Sequence, residues 1–348
     1  MPELRSTDPK SPARSQVGAT DLHLPRLGFG AAHLGGMWGR VPGGQARATL
    51  NAAWDGGIRF YDTAPWYGRG LSEHRLGDFL IDRPRAEFVL TTKVGRTLHR
   101  PDDPASFYMT PWPGGLRFDI RFSYTYDAVM RAYEQSLQRL GLDTIDALLI
   151  HDPDPRAHGE DFPTRMRELE TGGIRALEEL KVAGQIKAIG MGINTEAALT
   201  EVVPRVPLDL LIVAMPFTLL DQSALPTMEW LRGQGTSIII GAPYASGILV
   251  TGPVPGARYA YAPATDEVMD KARRIEAVCR EHGVALAAAA LRFCTAHPAV
   301  VSVIPGSARP EEVEATIAAF DAEIPDALWR DLRERSLISP DASVPASD

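Results

Sequence analysis

Residues of four types that complement one another in proton transfer lie at or just beyond the ends of three consecutive apolar runs. One run ends in Phe60-Tyr61-Asp62-Thr63-Ala64 and is followed by Pro65-Trp66-Tyr67-Gly68. The next ends in Thr91-Thr92-Lys93, and the third in Ile150-His151-Asp152. A phenol with a pKa of ~10 is a poor acid or base near neutrality, but an adjacent ammonium stabilises the phenolate and lowers that value. Lys93 is expected to act on Tyr67 in this way. A buried lysine tends to lose its proton unless a carboxylate accompanies it, and Asp62 is expected to supply one. His151 can then orient a carbonyl or hydroxyl by a hydrogen bond. Such a set moves protons while a cofactor supplies or accepts hydride.

These three runs belong to a series of eight: Leu27 to Gly30, Ile58 to Asp62, Phe88 to Lys93, Ile145 to Ile150, Ile186 to Met191, Leu208 to Val213, Ser237 to Ile240 and Val300 to Ile304. Each is too apolar on both faces for a sheet wetted on one side. Helical periodicity separates them. Met130, Tyr133, Leu137 and Leu140 step by three and four and stop at Gly141; Ile174, Leu177 and Leu180 stop before Gly184; Val268, Ala272, Ile275 and Cys279 stop before Gly283. A final helix of the repeat starts near Pro310. Eightfold alternation of buried strand and helix predicts an α/β fold of the (β/α)8 TIM-barrel type, with ionisable strand ends gathered at one mouth.

A doubly wound sheet is the competitor, because Gly28, Gly30 and Gly35 resemble a dinucleotide loop. That loop would have to open directly into a helix, whereas Gly36, Gly39, Pro42, Gly43 and Gly44 postpone one to about Gln45. Val17 to Leu24 is expected to form a hairpin at the barrel bottom. Residues 16–336 should form one domain, with flexible tails at 1–15 and 337–348. Three long excursions, Gly95 to Tyr126, His151 to Arg165 and Ala242 to Asp266, follow strands and should surround the mouth. The first carries Phe107, Tyr108, Trp112, Phe118, Phe122 and Tyr124. Most of these rings are expected to pack the loop onto the rim.

Composition narrows the classes. The 348 residues are 45% hydrophobic and 23% charged, proportions of a soluble globular chain. With 36 Lys+Arg against 44 Asp+Glu the net charge is -8, and no basic cluster suggests nucleic acid. No apolar run approaches the ~20 residues of a membrane span, and Met1 to Gln16 lacks a signal-peptide core. Two cysteines, Cys279 and Cys294, suggest free thiols in a reducing compartment, so a cytoplasmic location is expected. No metal site is expected.

Tyr61-Asp62-Thr63-Ala64 with Tyr67-Gly68, Thr92-Lys93 and Ile150-His151-Asp152 resembles the catalytic tetrad of the aldo-keto reductases, NAD(P)-dependent (β/α)8 oxidoreductases. The resemblance spans about Leu22 to Ser336. It implies Tyr67 as general acid/base, Lys93 and Asp62 as its tuning pair, and His151 as substrate orienter. Leu149 to Asp154 with His158-Gly159, Ala188 to Asn194 and Phe217 to Gln222 are similar to the branch holding D-threo-aldose (L-fucose) 1-dehydrogenases and pyridoxal 4-dehydrogenases, which oxidise a cyclic hemiacetal to a lactone.

Cofactor contacts implied by the same resemblance are Asn194 on the carboxamide, Phe217 stacked on the nicotinamide, and the stretch from Gly241 through Ala242, Pro243 and Gly247 to Leu249 around the pyrophosphate. Ile304, Gly306, Ser307, Arg309 and Glu312 would meet the adenosine end. Gly306 and Glu312 stand where many NADP-dependent relatives carry basic residues, which favours NAD over NADP. Two departures accompany this: Gly192-Ile193-Asn194 replaces the usual Ser-Asn pair, and the Ala214-Met215 region stands where many members have Gln. Trp38, Trp66, Tyr124 and Asp152 are candidate substrate contacts. The expected partner is a small sugar or aldehyde, with neither nucleic acid nor membrane involved, and the oligomeric state stays open. The alternatives are a general aldehyde or ketone reductase, a lyase forming a Schiff base on Lys93, and a nucleotide-binding regulatory subunit of the same fold.

Overall fold

Each of the eight apolar runs contributes a strand in the computed structural model, which describes residues 14–105, 107 and 109–345. They are β1 (Phe29–Gly30), β2 (Phe60–Asp62), β3 (Val89–Val94), β4 (Ala147–His151), β5 (Ala188–Ile193), β6 (Leu210–Val213), β7 (Ser237–Ile240) and β8 (Val300–Val303). Neighbours in the chain are neighbours in the sheet, and all seven pairs are parallel. Gly28 N–H donates to the Val303 carbonyl (2.9 Å) and Gly30 N–H to the Pro305 carbonyl (3.0 Å), so the last strand meets the first. The result is the expected (β/α)8 barrel. The first long helix begins at Gly43, two residues before Gln45, after a 3-10 turn over Ala31–Gly35.

Side chains alternate across each strand, which divides the apolar residues into two cores. Phe60, Val89, Leu149, Leu210, Ile212, Ile239, Val301 and Ile304 fill the barrel interior. Their immediate neighbours Tyr61, Leu90, Leu148, Ile150, Leu211 and Ile240 face the helices instead. Truncating an interior ring such as Phe60 to Ala would cost about 3 to 5 kcal/mol, because a closed barrel cannot collapse around the void. The helices end where the glycines require: Tyr126–Leu140 is capped by Thr125 and terminated by Gly141 at φ 63°.

Two expectations need correction. Arg14–Gln16 pairs with His23–Pro25, so Val17 to Leu24 spans the turn and only the start of the return strand. Val17, Leu22 and Leu24 from this hairpin seal the barrel floor. Arg14 and Ser15 therefore belong to the fold, and the rest of the expected N-terminal tail lies outside the described residues. The expected tail from 337 begins with Leu337, Ile338 and Ala342, all buried at 1%, 3% and 1% exposure, because they close the helical layer. Residues 346–348 and Tyr108 lie outside the described residues. Among the described residues, no helix is long and apolar enough to cross a membrane.

Candidate active site

Strand register alone aims three of the four chemical groups into the mouth. Val89, Thr91 and Lys93 share one face of β3, Phe60 and Asp62 one face of β2, and Leu149 and His151 one face of β4, so each ionisable residue continues an interior row. Lys93 Nζ donates to Asp62 Oδ2 at 2.6 Å and to the Thr63 carbonyl at 2.8 Å, while Asp62 Oδ1 accepts from Thr91 at 2.8 Å. Burial pushes the Asp62 carboxyl up, and Lys93 and Thr91 oppose it. Lys93 is 2% exposed and committed to these partners, which disfavours the Schiff-base alternative.

Tyr67 comes from the turn beyond β2. Gly68 (φ 64°) lies so close to the first loop that an added Cβ would meet Gly35 O at 2.4 Å, and this glycine contact fixes the turn. The Tyr67 ring lies 4.7 Å from Lys93 Nζ and 5.7 Å from the His151 ring. No described residue hydrogen-bonds its hydroxyl. The expected lowering of this phenol's pKa is overturned: burial, then the Asp62 and Asp152 carboxylates, hold it well above 10.0, with Arg96 opposing. The Lys93 charge is largely cancelled by Asp62.

His151 is held from behind. The buried Tyr124 hydroxyl donates to its carbonyl at 2.7 Å and contacts His158 Nε2 at 3.0 Å. Burial, assisted by Arg96 and Lys93, drives the imidazole well below 6.5, against the pull of Asp152, so it is neutral. Asp152 sits in left-handed backbone at φ 48°. Its Oδ2 accepts from Arg96 Nη2 at 2.7 Å and lies 3.5 Å from His151 Nε2, while its Oδ1 accepts from Asn194 Nδ2 at 2.9 Å. Burial disfavours its ionisation, yet the Arg96 charge and the hydrogen bonds from Arg96 and Asn194 hold it below the usual carboxylate range.

The other candidates divide. Trp66 is partly exposed at the mouth, edge-on to Trp112 at 5.8 Å, and Trp38 is 46% exposed with the Arg258 guanidinium over its ring at 4.7 Å. Tyr124 is fully buried with its hydroxyl engaged, so it does not face substrate; its ring occupies the space that the Cβ of any residue at Gly95 would need. Asp152 likewise has both carboxylate oxygens taken by protein. Phe217 is sealed, stacked on Phe293 at 5.4 Å, so its ring presents no exposed face. Asn194 accepts from the Tyr261 hydroxyl at 3.2 Å in addition to its bond with Asp152.

At the ends of β7 and β8, Gly241, Ala242, Gly247 and Gly306 are partly exposed, whereas Pro243, Leu249 and Ile304 turn their side chains inward and Ser307 is buried. Glu312 Oε2 accepts from the N–H groups of Ala308 (2.8 Å) and Arg309 (3.2 Å), and its Oε1 pairs with Arg309 at 2.8 Å. An added Cβ at Gly306 would meet His33 Nδ1 at 2.3 Å, so His33 occupies the room a basic side chain there would require. Sequence reasoning missed Arg96 and Tyr261. Arg96 had one signal, a cation three residues beyond Lys93 across a glycine; Tyr261, on the Arg258–Tyr259 and Ala262–Pro263 hairpin, had none.

An acid, an amine, a phenol and an imidazole can transfer protons but cannot take up hydride, so this donor set fits a partner redox cofactor, and the partly exposed glycines beyond β7 and β8 leave backbone accessible beside it. The profile of the Aldo/keto reductase family matches residues 26–336. A pyridoxal 4-dehydrogenase from Microbacterium luteolum is 36% identical over 340 residues, covering 95% of this chain and 99% of the relative. A D-threo-aldose 1-dehydrogenase from a Pseudomonas species is 38% identical, covering 96% and 99%. In fold, the chain resembles an aldo-keto reductase from Bacillus halodurans in its holo form, with a TM-score of 0.73 at 24% identity over 95% of this chain and 97% of that one. Family profile, near full-length relatives and barrel agree: the chain belongs to the aldo/keto reductase family and is an NAD(P)-dependent oxidoreductase.

Proposed function

We propose that the protein oxidises a cyclic hemiacetal, an aldose such as L-fucose or the hemiacetal of pyridoxal, to a lactone. The observation that carries the chemistry is the Tyr67 hydroxyl, unengaged by any described residue and set between the Lys93–Asp62 pair and neutral His151. Two relatives spanned almost end to end, named for pyridoxal and D-threo-aldoses, support the substrate class. Tyr67, as phenolate, takes the proton of the hemiacetal hydroxyl. His151 holds the same oxygen by its ring N–H. A bound nicotinamide would supply the hydride acceptor for the hemiacetal carbon, which becomes the lactone carbonyl. The phenol then returns its proton to solvent, so one substrate yields lactone, reduced nucleotide and one proton.

Asn194, the Gly241 to Leu249 backbone and the Gly306 to Glu312 segment would hold the nucleotide, and we favour NAD. The Glu312 carboxylate already occupies the start of the Pro310–Phe320 helix, where a 2′-phosphate would seek N–H donors. Free ribose hydroxyls suit that carboxylate. The test is a panel of aldoses, pyridoxal and simple aldehydes, each followed by nicotinamide absorbance with NAD and with NADP. Oxidation of L-fucose, its configurational relatives or pyridoxal with NAD is expected. Inert sugars and pyridoxal beside rapidly reduced aldehydes would make it a general aldehyde reductase, and bound nucleotide without any turnover would make it a regulatory subunit.

A further inference from the structure

A second buried ion pair, Arg96–Asp152, also borders His151, and no step above uses it. Arg96 follows Gly95, whose φ of 100° turns the chain back over the mouth as β3 ends. Its guanidinium lies 4.4 Å from the Phe122 ring and 5.4 Å from Trp66, with its side chain 5% exposed. Among the described residues, its Nε and Nη1 are buried without a hydrogen-bond partner, and its one ionic partner is Asp152. With Asn194 on Oδ1 and Arg96 on Oδ2, each carboxylate oxygen already accepts a hydrogen bond while Oδ2 lies 3.5 Å from His151 Nε2. That distance is too long for a strong hydrogen bond, although a rotation of the carboxylate would make one.

We propose that Arg96 is a positioning residue: by clamping Asp152, it prevents that carboxylate from capturing the His151 imidazole, which is thereby kept neutral with its Nε2 edge free for the substrate oxygen. The inference rests on the reading of His151 as the group that holds substrate. Released from Arg96, Asp152 would be an unpaired buried anion beside an imidazole, and the least costly outcome is a protonated, hydrogen-bonded His–Asp pair. The other titratable groups around His151 are Lys93, with Asp62 behind it, Tyr67, Tyr124 and His158, and an Arg96 substitution replaces none of them.

The test is NMR titration of the enzyme with isotope-labelled histidine, the His151 signal being assigned by its loss in His151→Gln. In wild type the His151 midpoint should lie well below that of an ordinary imidazole. Arg96→Met should move its midpoint up by about 1 to 3 pH units. Arg96→Lys should move it less, and the double variant Arg96→Met/Asp152→Asn should restore the neutral ring, since the released anion is then gone. In turnover, Arg96→Met should lose most kcat/KM at low pH and recover as pH rises, whereas a purely structural defect would lower it equally at every pH. A His151 midpoint unchanged in Arg96→Met, or still raised in the double variant, overturns the proposal. If Arg96→Met does not fold, Arg96→Lys carries the same test: an unshifted midpoint there overturns it. The titration requires no substrate, so failure of the hemiacetal reading would leave this result standing.

Discussion

The mouth of the barrel has two unlike halves. On the side of β2, β3 and β4, side chains do the work: Asp62, Lys93 and His151 are buried, and their partners are fixed within 3 Å or by ring contact. On the side of β7 and β8, Gly241, Gly247 and Gly306 are among the partly exposed positions, while Pro243, Leu249 and Ile304 are buried. The contrast matches the roles proposed for the two halves. A proton relay needs particular atoms at particular distances, which strand register supplies; a dinucleotide would need a smooth cradle, which absent side chains would supply.

Substitutions on the two halves should therefore differ in kind. On the proton side, Lys93→Met is expected to lower kcat about 10²- to 10⁴-fold with nucleotide affinity preserved, and residual activity should improve towards high pH. A weaker nucleotide grip with normal kcat would erase the distinction. The wild-type pH profile should show the same logic. Because Tyr67 is held well above 10.0 by burial and two carboxylates, the phenolate needed for oxidation is scarce at neutrality, so kcat/KM for oxidation should rise with pH. Reduction, which uses the phenol, should stay flat over the same range, and an oxidation rate that falls from pH 7 to 9 would contradict the assignment.

Smaller effects sharpen the boundary. Glu312→Gln should narrow the preference for NAD over NADP by about fivefold to tenfold, equivalent to ~1 kcal/mol of repulsion at the ribose, as read from the two Michaelis constants. An unaltered ratio would show that the carboxylate plays no part in the choice. Tyr124→Phe removes the hydroxyl that supports the His151 carbonyl, with an expected cost of about 1 kcal/mol in thermal unfolding and only a several-fold loss of kcat. Phe217→Leu should cost about 1 kcal/mol of stability and leave the nucleotide Michaelis constant unaltered, since the ring is stacked on Phe293 inside the protein. A nucleotide effect there would mean that the ring reaches the nicotinamide after all.

The same division explains what the sequence revealed. Asp62, Lys93 and His151 were legible together because each ends an otherwise apolar run, and a parallel barrel gathers such strand ends at one mouth. The eight strands were legible as short runs apolar on both faces, separated by helical periodicity. Tyr124 and Phe217 were not, because an aromatic residue near a mouth reads alike whether its ring faces the cavity or the packing behind it. The direction of the Tyr67 shift was missed because the burial of the phenol was left out: Lys93 is paired with Asp62 at 2.6 Å as expected, and burial of the hydroxyl then dominates. Arg96 and Tyr261 meet the site through chain reversals at left-handed positions, φ 100° at Gly95 and 66° at Tyr261, which residue spacing does not encode.

The most direct measurement of the two-sided account is made on Tyr67→Phe, with nucleotide binding by titration and a single turnover by absorbance of reduced nicotinamide on the same preparation. The account predicts a dissociation constant within about twofold of wild type and no hydride transfer on the wild-type time scale, because the ring is kept and the transferable proton is lost. Turnover near the wild-type rate would remove Tyr67 from the chemistry, and loss of nucleotide binding would show that the two halves are not separate.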